Sequence, residues 1–317
     1  MKTTSPRVPS LDILVPYFGS VLLIVGGSFF FPQILGFAYL AQQLQIASFL
    51  GLLALGATLV ILLGHIDLSV PWVLGGAAIL STSLAGSGDP ALIALAIPAA
   101  LIFGALVGVI NGFGVAVLRI PSMVWTLAIN AMLLGVAVLN TGGFNPKGEA
   151  STTMIWLATA KLAGIPVAFA VWMVFTLAMA VLLKKSGFGR YLSAIGYNEK
   201  ATFLSGVSTP SVIFAAFAIA GVCSAMGGVL LAGYANQAYQ SMGDPFLLPT
   251  IAAVVIGGTS ILGGRGSLVG TVGGVLFITL LTSILSVMQI SDAWRNIIFG
   301  VIIIAMLLLQ TLRRKAA

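Results

Sequence analysis

The chain has 317 residues, of which 59% are hydrophobic and only 7% charged, with 14 basic against 7 acidic residues for a net charge of +7. A soluble globular chain carries roughly 25% charged residues, so this composition excludes a soluble cytosolic enzyme. It equally excludes a disordered chain. The basic excess does not indicate nucleic acid, because the basic residues flank apolar runs, as membrane topology requires.

In chain order, MKTTSPRVPSLD carries no cleavable signal pattern, and the first apolar run reads as a membrane helix. A span needs about 20 mainly apolar residues. Residues 13–64 hold two spans, broken near Pro32 and Gly36. Residues 68–88, 90–118 and 120–146 hold one each, and residues 151–160 (STTMIWLATA) predict a short helix at the surface. The remaining spans fall at 162–183, 210–236, 245–264, 266–291 and 296–312. The expected fold class is therefore all-α, a polytopic membrane protein of about ten transmembrane helices in a single transmembrane domain, with a cytoplasmic loop at 184–210.

Ten spans put both termini on one side. With both termini cytoplasmic, Lys2, Arg7, Arg119, Lys184, Lys185, Arg190, Lys200, Arg265, Arg313, Arg314 and Lys315 face inward, and only Lys147, Lys161 and Arg295 face outward. That asymmetry obeys the positive-inside rule. Two small-residue series, Gly104–Gly108–Gly112 and Gly266–Gly270–Gly274, predict close helix packing. Their placement five spans apart suggests an inverted five-helix repeat.

The chain has no G-x-x-x-x-G-K-[ST] loop, H-E-x-x-H or G-x-S-x-G. No cofactor, metal or catalytic set is predicted; the lone Cys223 and His65 give no zinc site. All seven acids, Asp12, Asp67, Asp89, Glu149, Glu199, Asp244 and Asp292, fall at or near span ends. A gradient-driven transporter usually needs an ionisable group within the membrane. The chain therefore reads as a path for a neutral polar solute with energy supplied from elsewhere. Asn130, Asn111 and Asp67 are the candidate pathway residues, since an amide both donates and accepts, as a hydroxyl does. Each has a structural alternative: Asn130 as an interhelical hydrogen bond, and Asp67 or Ser69 as the cap of an incoming helix whose first turn holds Pro71.

The stretch from Lys184 to Pro210 is the one extended inside loop. Asn198 is an N-cap, Glu199 suits a first turn, and Gly206 a stop. The helix between them carries Ala201, Phe203 and Leu204, which makes it a docking element; the alternative is an amphipathic loop on lipid headgroups.

At this loop GRYLSAIGYNEKATFLSG (189–206) resembles the permease subunits of bacterial ABC importers for monosaccharides of the ribose, xylose, arabinose and galactose group. IAAVVIGGTSILGGRG (251–266) and GHIDLSVP (64–71) resemble two further patterns of that family. Departures are His65 and Pro71 in place of glycines, and Leu247 and Pro249 where many members carry acids. The resemblance implies a pathway built with a second permease subunit, identical or not. It implies cytoplasmic ATPase subunits, a periplasmic sugar-binding protein, and a coupling helix including Arg190, Asn198, Glu199, Ala201, Phe203 and Leu204. The competing readings are a secondary transporter of a neutral polar solute and a membrane-embedded enzyme.

Overall fold

A computed structural model describes residues 11–143 and 146–316, without the side chains of residues 11, 12 and 309–316. Lys2 and Arg7 lie outside the described residues, as do the side chains of Asp12, Arg313, Arg314 and Lys315. Among the described residues thirteen α-helices follow one another: α1 (Leu11–Ser28), α2 (Phe37–Leu62), α3 (Val70–Ala85), α4 (Pro90–Ala116), α5 (Ser122–Thr141), α6 (Thr152–Thr159), α7 (Val167–Lys185), α8 (Gly187–Tyr197), α9 (Glu199–Leu204), α10 (Thr209–Ala235), α11 (Leu247–Ile256), α12 (Leu268–Val287) and α13 (Asp292–Ala316). Between α6 and α7 lies a small hairpin, β1 (Lys161–Leu162) and β2 (Ile165–Pro166).

Each predicted span has its helix, but among the described residues six of them are long and apolar enough to cross a bilayer by length and composition. α3 and α11 are shorter, with 16 and 10 residues. At 1.5 Å per residue α11 is about 15 Å long, half the hydrocarbon thickness. The reason lies in the backbone that follows: Gly258, Gly263 and Gly264 hold φ of +84°, +85° and +78°, which no α-helix accommodates. The expected eighth span is thus a short helix leading into a folded loop.

The centre is built from α2 and α10, which pack on each other and are buried along most of their lengths. Such helices are apolar all round because protein, not water or lipid, surrounds them. α10 also packs on α3, α4 and α6; α2 packs also on α7, α11 and α12. α3 contacts α4 and α5, and α11 contacts α12 and α13. α4, α5 and α7 turn Leu106, Val124 and Val174 outward, each more than half exposed, as lipid-facing helices must.

The glycine face of α4 does the work its spacing predicts. A Cβ on Gly108 would lie 2.2 Å from the Phe217 carbonyl oxygen of α10, and one on Gly221 1.9 Å from that of Gly104. Here two backbones touch, gaining packing that lipid cannot supply. The second series divides. Gly270 and Gly274 meet Gly257 and Ala253 of α11, whereas Gly266 lies before α12 begins and meets Thr259 and Leu62. The predicted surface helix is α6, capped by Ser151, whose Oγ accepts from Met154 N. Its Met154 and Ala158 are fully buried, so one face belongs to the body.

Candidate coupling surface and polar connector

The stretch 184–210 forms two helices where the sequence predicts one. Ser186 Oγ caps α8 by accepting from Phe188 N at 3.1 Å. Leu192 and Ile195 are buried on the inner face of α8, while Arg190, Tyr191 and Tyr197 are exposed. The alternation of GRYLSAIGY at helical spacing was the available signal for α8. α9 follows as predicted: Asn198 Oδ1 accepts from Ala201 N at 3.0 Å, and Gly206 stops the helix at φ +86°. Ala201, Phe203 and Leu204 are exposed, Leu204 to 84%.

Glu199 is held from the membrane side. Its carboxylate pairs with Arg119, in the α4–α5 turn, and accepts from Thr209 Oγ1 at 3.3 Å at the start of α10. It ties α9 to the α4–α5 turn and to the start of α10. Arg119 reaches it from a left-handed backbone, φ +57°. Near this pair His65 is largely buried, and burial pushes its pKa down; the Glu199 charge opposes that shift and Arg119 adds to it.

Three segments that are distant in the chain converge here. A Cβ on Gly196 of α8 would lie 2.0 Å from the Leu62 carbonyl oxygen at the end of α2 and 2.4 Å from Gly264 N. Gly264 N donates to that same Leu62 oxygen at 2.9 Å. Arg265 Nε donates to Tyr197 OH at 2.7 Å, and its guanidinium lies 5.7 Å from the Tyr197 ring centroid. The α8–α9 pair is thereby clamped to the end of α2 and to the loop after α11.

The three candidate pathway residues also come together, at the start of α3. Asp67 Oδ1 accepts from Ser69 N at 2.8 Å and from Ser69 Oγ at 2.6 Å. Asn111 Nδ2 of α4 donates to Ser69 Oγ at 2.7 Å, and Asn130 Oδ1 of α5 accepts from Trp72 N at 3.3 Å. Thr126 Oγ1 and Ser122 Oγ accept from Leu68 N and Ile66 N. α4 and α5 thus hold the stretch that leads into α3, and Asn130 meets an N–H of its first turn, one of the groups that a helix start leaves without a partner within the helix. Asn111 is fully buried, and its Oδ1 has no partner among the described residues. Burial pushes the Asp67 pKa up, and the two hydrogen bonds from Ser69 pull it back. Ser122 and Thr126 were not singled out from sequence, and Ser69 only as a helix cap; their hydroxyls join the network only because α4 and α5 pack beside α3.

A family model described as branched-chain amino acid transport system / permease component matches residues 39–307. The chain belongs to this permease family. It is a transport subunit of the ABC class. The ribose import permease protein of Bacillus subtilis is 35% identical over 311 residues, covering 96% of this chain and 94% of that protein. The autoinducer 2 import system permease protein of Shigella flexneri is 34% identical over 287 residues, 90% of this chain and 83% of that protein. The ribose import permease protein of Escherichia coli K12 is 32% identical over 271 residues, 84% of each. No solved structure matches the chain.

Proposed function

We propose that this permease imports a monosaccharide or similar small polyol across the bacterial inner membrane. ATPase subunits drive it, a periplasmic binding protein delivers the solute, and a second permease subunit, identical or homologous, completes the pathway. The observation that carries this reading is the junction of Gly196, Leu62 and Gly264. A push on α8–α9 there reaches α2 and the loop after α11 through backbone contacts. The docking surface is Arg190, Ala201, Phe203 and Leu204, with Asn198 and Glu199 holding its shape.

The family description names amino acids, whereas the relatives above import ribose or autoinducer 2. The polyol reading is preferred because an amino acid carries two charges, and all seven acids of this chain lie at or near the ends of the predicted spans. With α11 and the folded loop after it counted as one passage, the chain crosses the membrane ten times in a single domain, with both termini cytoplasmic, as the charge asymmetry favours. An inverted repeat of five helices is supported by packing: α2 meets α11 and α12 as α10 meets α3 and α4. α1 and α7 break this correspondence, since α1 packs on α12 and α7 on α2.

The test is reconstitution with the cognate ATPase and binding protein. ATP-dependent accumulation of D-ribose, xylose or a polyol, with none of L-leucine, is the expected result. Accumulation of leucine alone overturns the substrate class, and uptake driven by a sodium or proton gradient without ATPase overturns the mechanism.

A further inference from the structure

The end of α2 remote from the coupling helices carries a different feature. An open cavity of about 720 Å3 lies between the 3-10 turn Pro32–Leu35, the first turns of α2, the end of α6 and the end of α10. Pockets of this size hold small ligands. Its polar lining is Gln33, Tyr39, Gln42, Gln45, Thr159 and Tyr234. Tyr39, Gln42 and Gln45 follow at intervals of three along α2, which puts them on one helical face.

Half of this set is fixed from behind. Tyr39 OH is 2.8 Å from Ser283 Oγ on α12, and the buried Gln45 donates Nε2 to the Ala158 carbonyl at 2.6 Å. The Tyr234 ring packs on Phe49 with centroids 5.5 Å apart. Gln33 and Gln42 are exposed, and among the described residues no hydrogen bond holds either amide. The arrangement is a rigid aromatic and amide wall with two free amides in front. Each free amide can donate and accept at once, which suits adjacent hydroxyls on a carbon chain or ring. Lys161 is the single charge in the lining, and no acid faces it, so a zwitterion would lack one partner.

We propose that this cavity receives the polyol as it enters the permease, and that Gln42 reads its hydroxyls. The proposal rests on the polyol reading above and adds the site. It differs from the candidates drawn from sequence, because Asp67, Asn111 and Asn130 surround the start of α3, beyond the opposite end of the 26-residue α2. A solute in the cavity would bear on the outer end of α2, whose inner end the coupling helices grip at Leu62.

The chain's one cysteine, Cys223, is buried, so Gln42→Cys adds a single accessible thiol. The assembled importer bearing it is treated with a charged, membrane-impermeant methanethiosulfonate, alone and with D-ribose, xylose, xylitol, L-leucine or phosphate at about 100 mM. If a polyol binds with a dissociation constant of about 50 mM, mass action slows modification about threefold. The same solute should leave modification of Thr152→Cys, at the exposed start of α6, unchanged. Protection by one or more polyols at residue 42 alone supports the proposal. Absence of protection by every polyol overturns it, as does protection by leucine or phosphate instead. Uptake measured in parallel separates the two readings: protection without polyol uptake would sink the transport reading and leave the site, and uptake without protection would do the reverse.

Discussion

Gly196 of α8 and Leu62 at the end of α2 are joined by a close backbone approach: a Cβ on Gly196 would sit 2.0 Å from the Leu62 carbonyl oxygen. The atom in the way is backbone, and it already accepts from Gly264 N, so it cannot swing aside as a side-chain tip would.

Gly196→Ala should therefore displace α8 from α2. Overpacking of this kind costs about 1–3 kcal/mol. We expect a lower melting temperature and ATP hydrolysis that no longer tracks uptake. Unchanged melting and wild-type transport would show that the junction is not a mechanical link.

Phe203 and Leu204 stand 59% and 84% exposed, so truncating them removes little from the isolated chain. A buried aromatic at an interface is worth about 2 kcal/mol or more. Phe203→Ala with Leu204→Ala should leave insertion and melting intact and weaken retention of the ATPase subunit at least about tenfold. Full retention in copurification would move the docking surface elsewhere.

Asp67 acts, on this geometry, as an acceptor for Ser69 rather than as a mobile charge. Asp67→Asn keeps one carbonyl oxygen for those donors and should transport nearly normally. Asp67→Ala leaves Ser69 N–H without its acceptor and should destabilise by about 1–3 kcal/mol. Equal and complete loss of transport in both variants, with normal melting, would instead assign the carboxylate charge a direct role.

His65 gives a pH signature. Burial lowers its pKa in the folded chain below the unfolded value of about 6.5. The unfolded chain then binds the proton more readily, so the His65 contribution to stability is intact above pH 6.5 and is lost as pH falls from there toward the folded pKa. The difference in melting temperature between wild type and His65→Gln should shift against the wild type on acidification from pH 7.5 to about 5. A difference independent of pH would show that His65 does not titrate differently on folding.

Orientation is checked by reporter fusions. A reporter after Lys315 should read cytoplasmic and one at Lys147 periplasmic. A periplasmic signal at the C-terminus would overturn the assignment of sides, and with it the placing of α8–α9 against an ATPase.

Composition by itself determined that the chain lives in a bilayer, because lipid selects apolar residues wherever they sit along a span. The glycine spacing of α4 and the capped helix after Asn198 were equally legible, since each depends on residues within a few turns of one another. The length of α11 was not: hydropathy continued through 245–264, while positive-φ glycines ended the helix at Ile256. Tertiary structure alone decided that Glu199 turns inward to Arg119, 80 positions away, and that Asn111 and Asn130 meet the start of α3. It also placed Gln42 of α2 beside Thr159 and Tyr234. The physical reason is common to all of these. A helix buried in protein and one facing lipid are both apolar, so hydropathy fixes neither rotation nor neighbours, and a polar side chain gains its partner only when helices dock in one particular register.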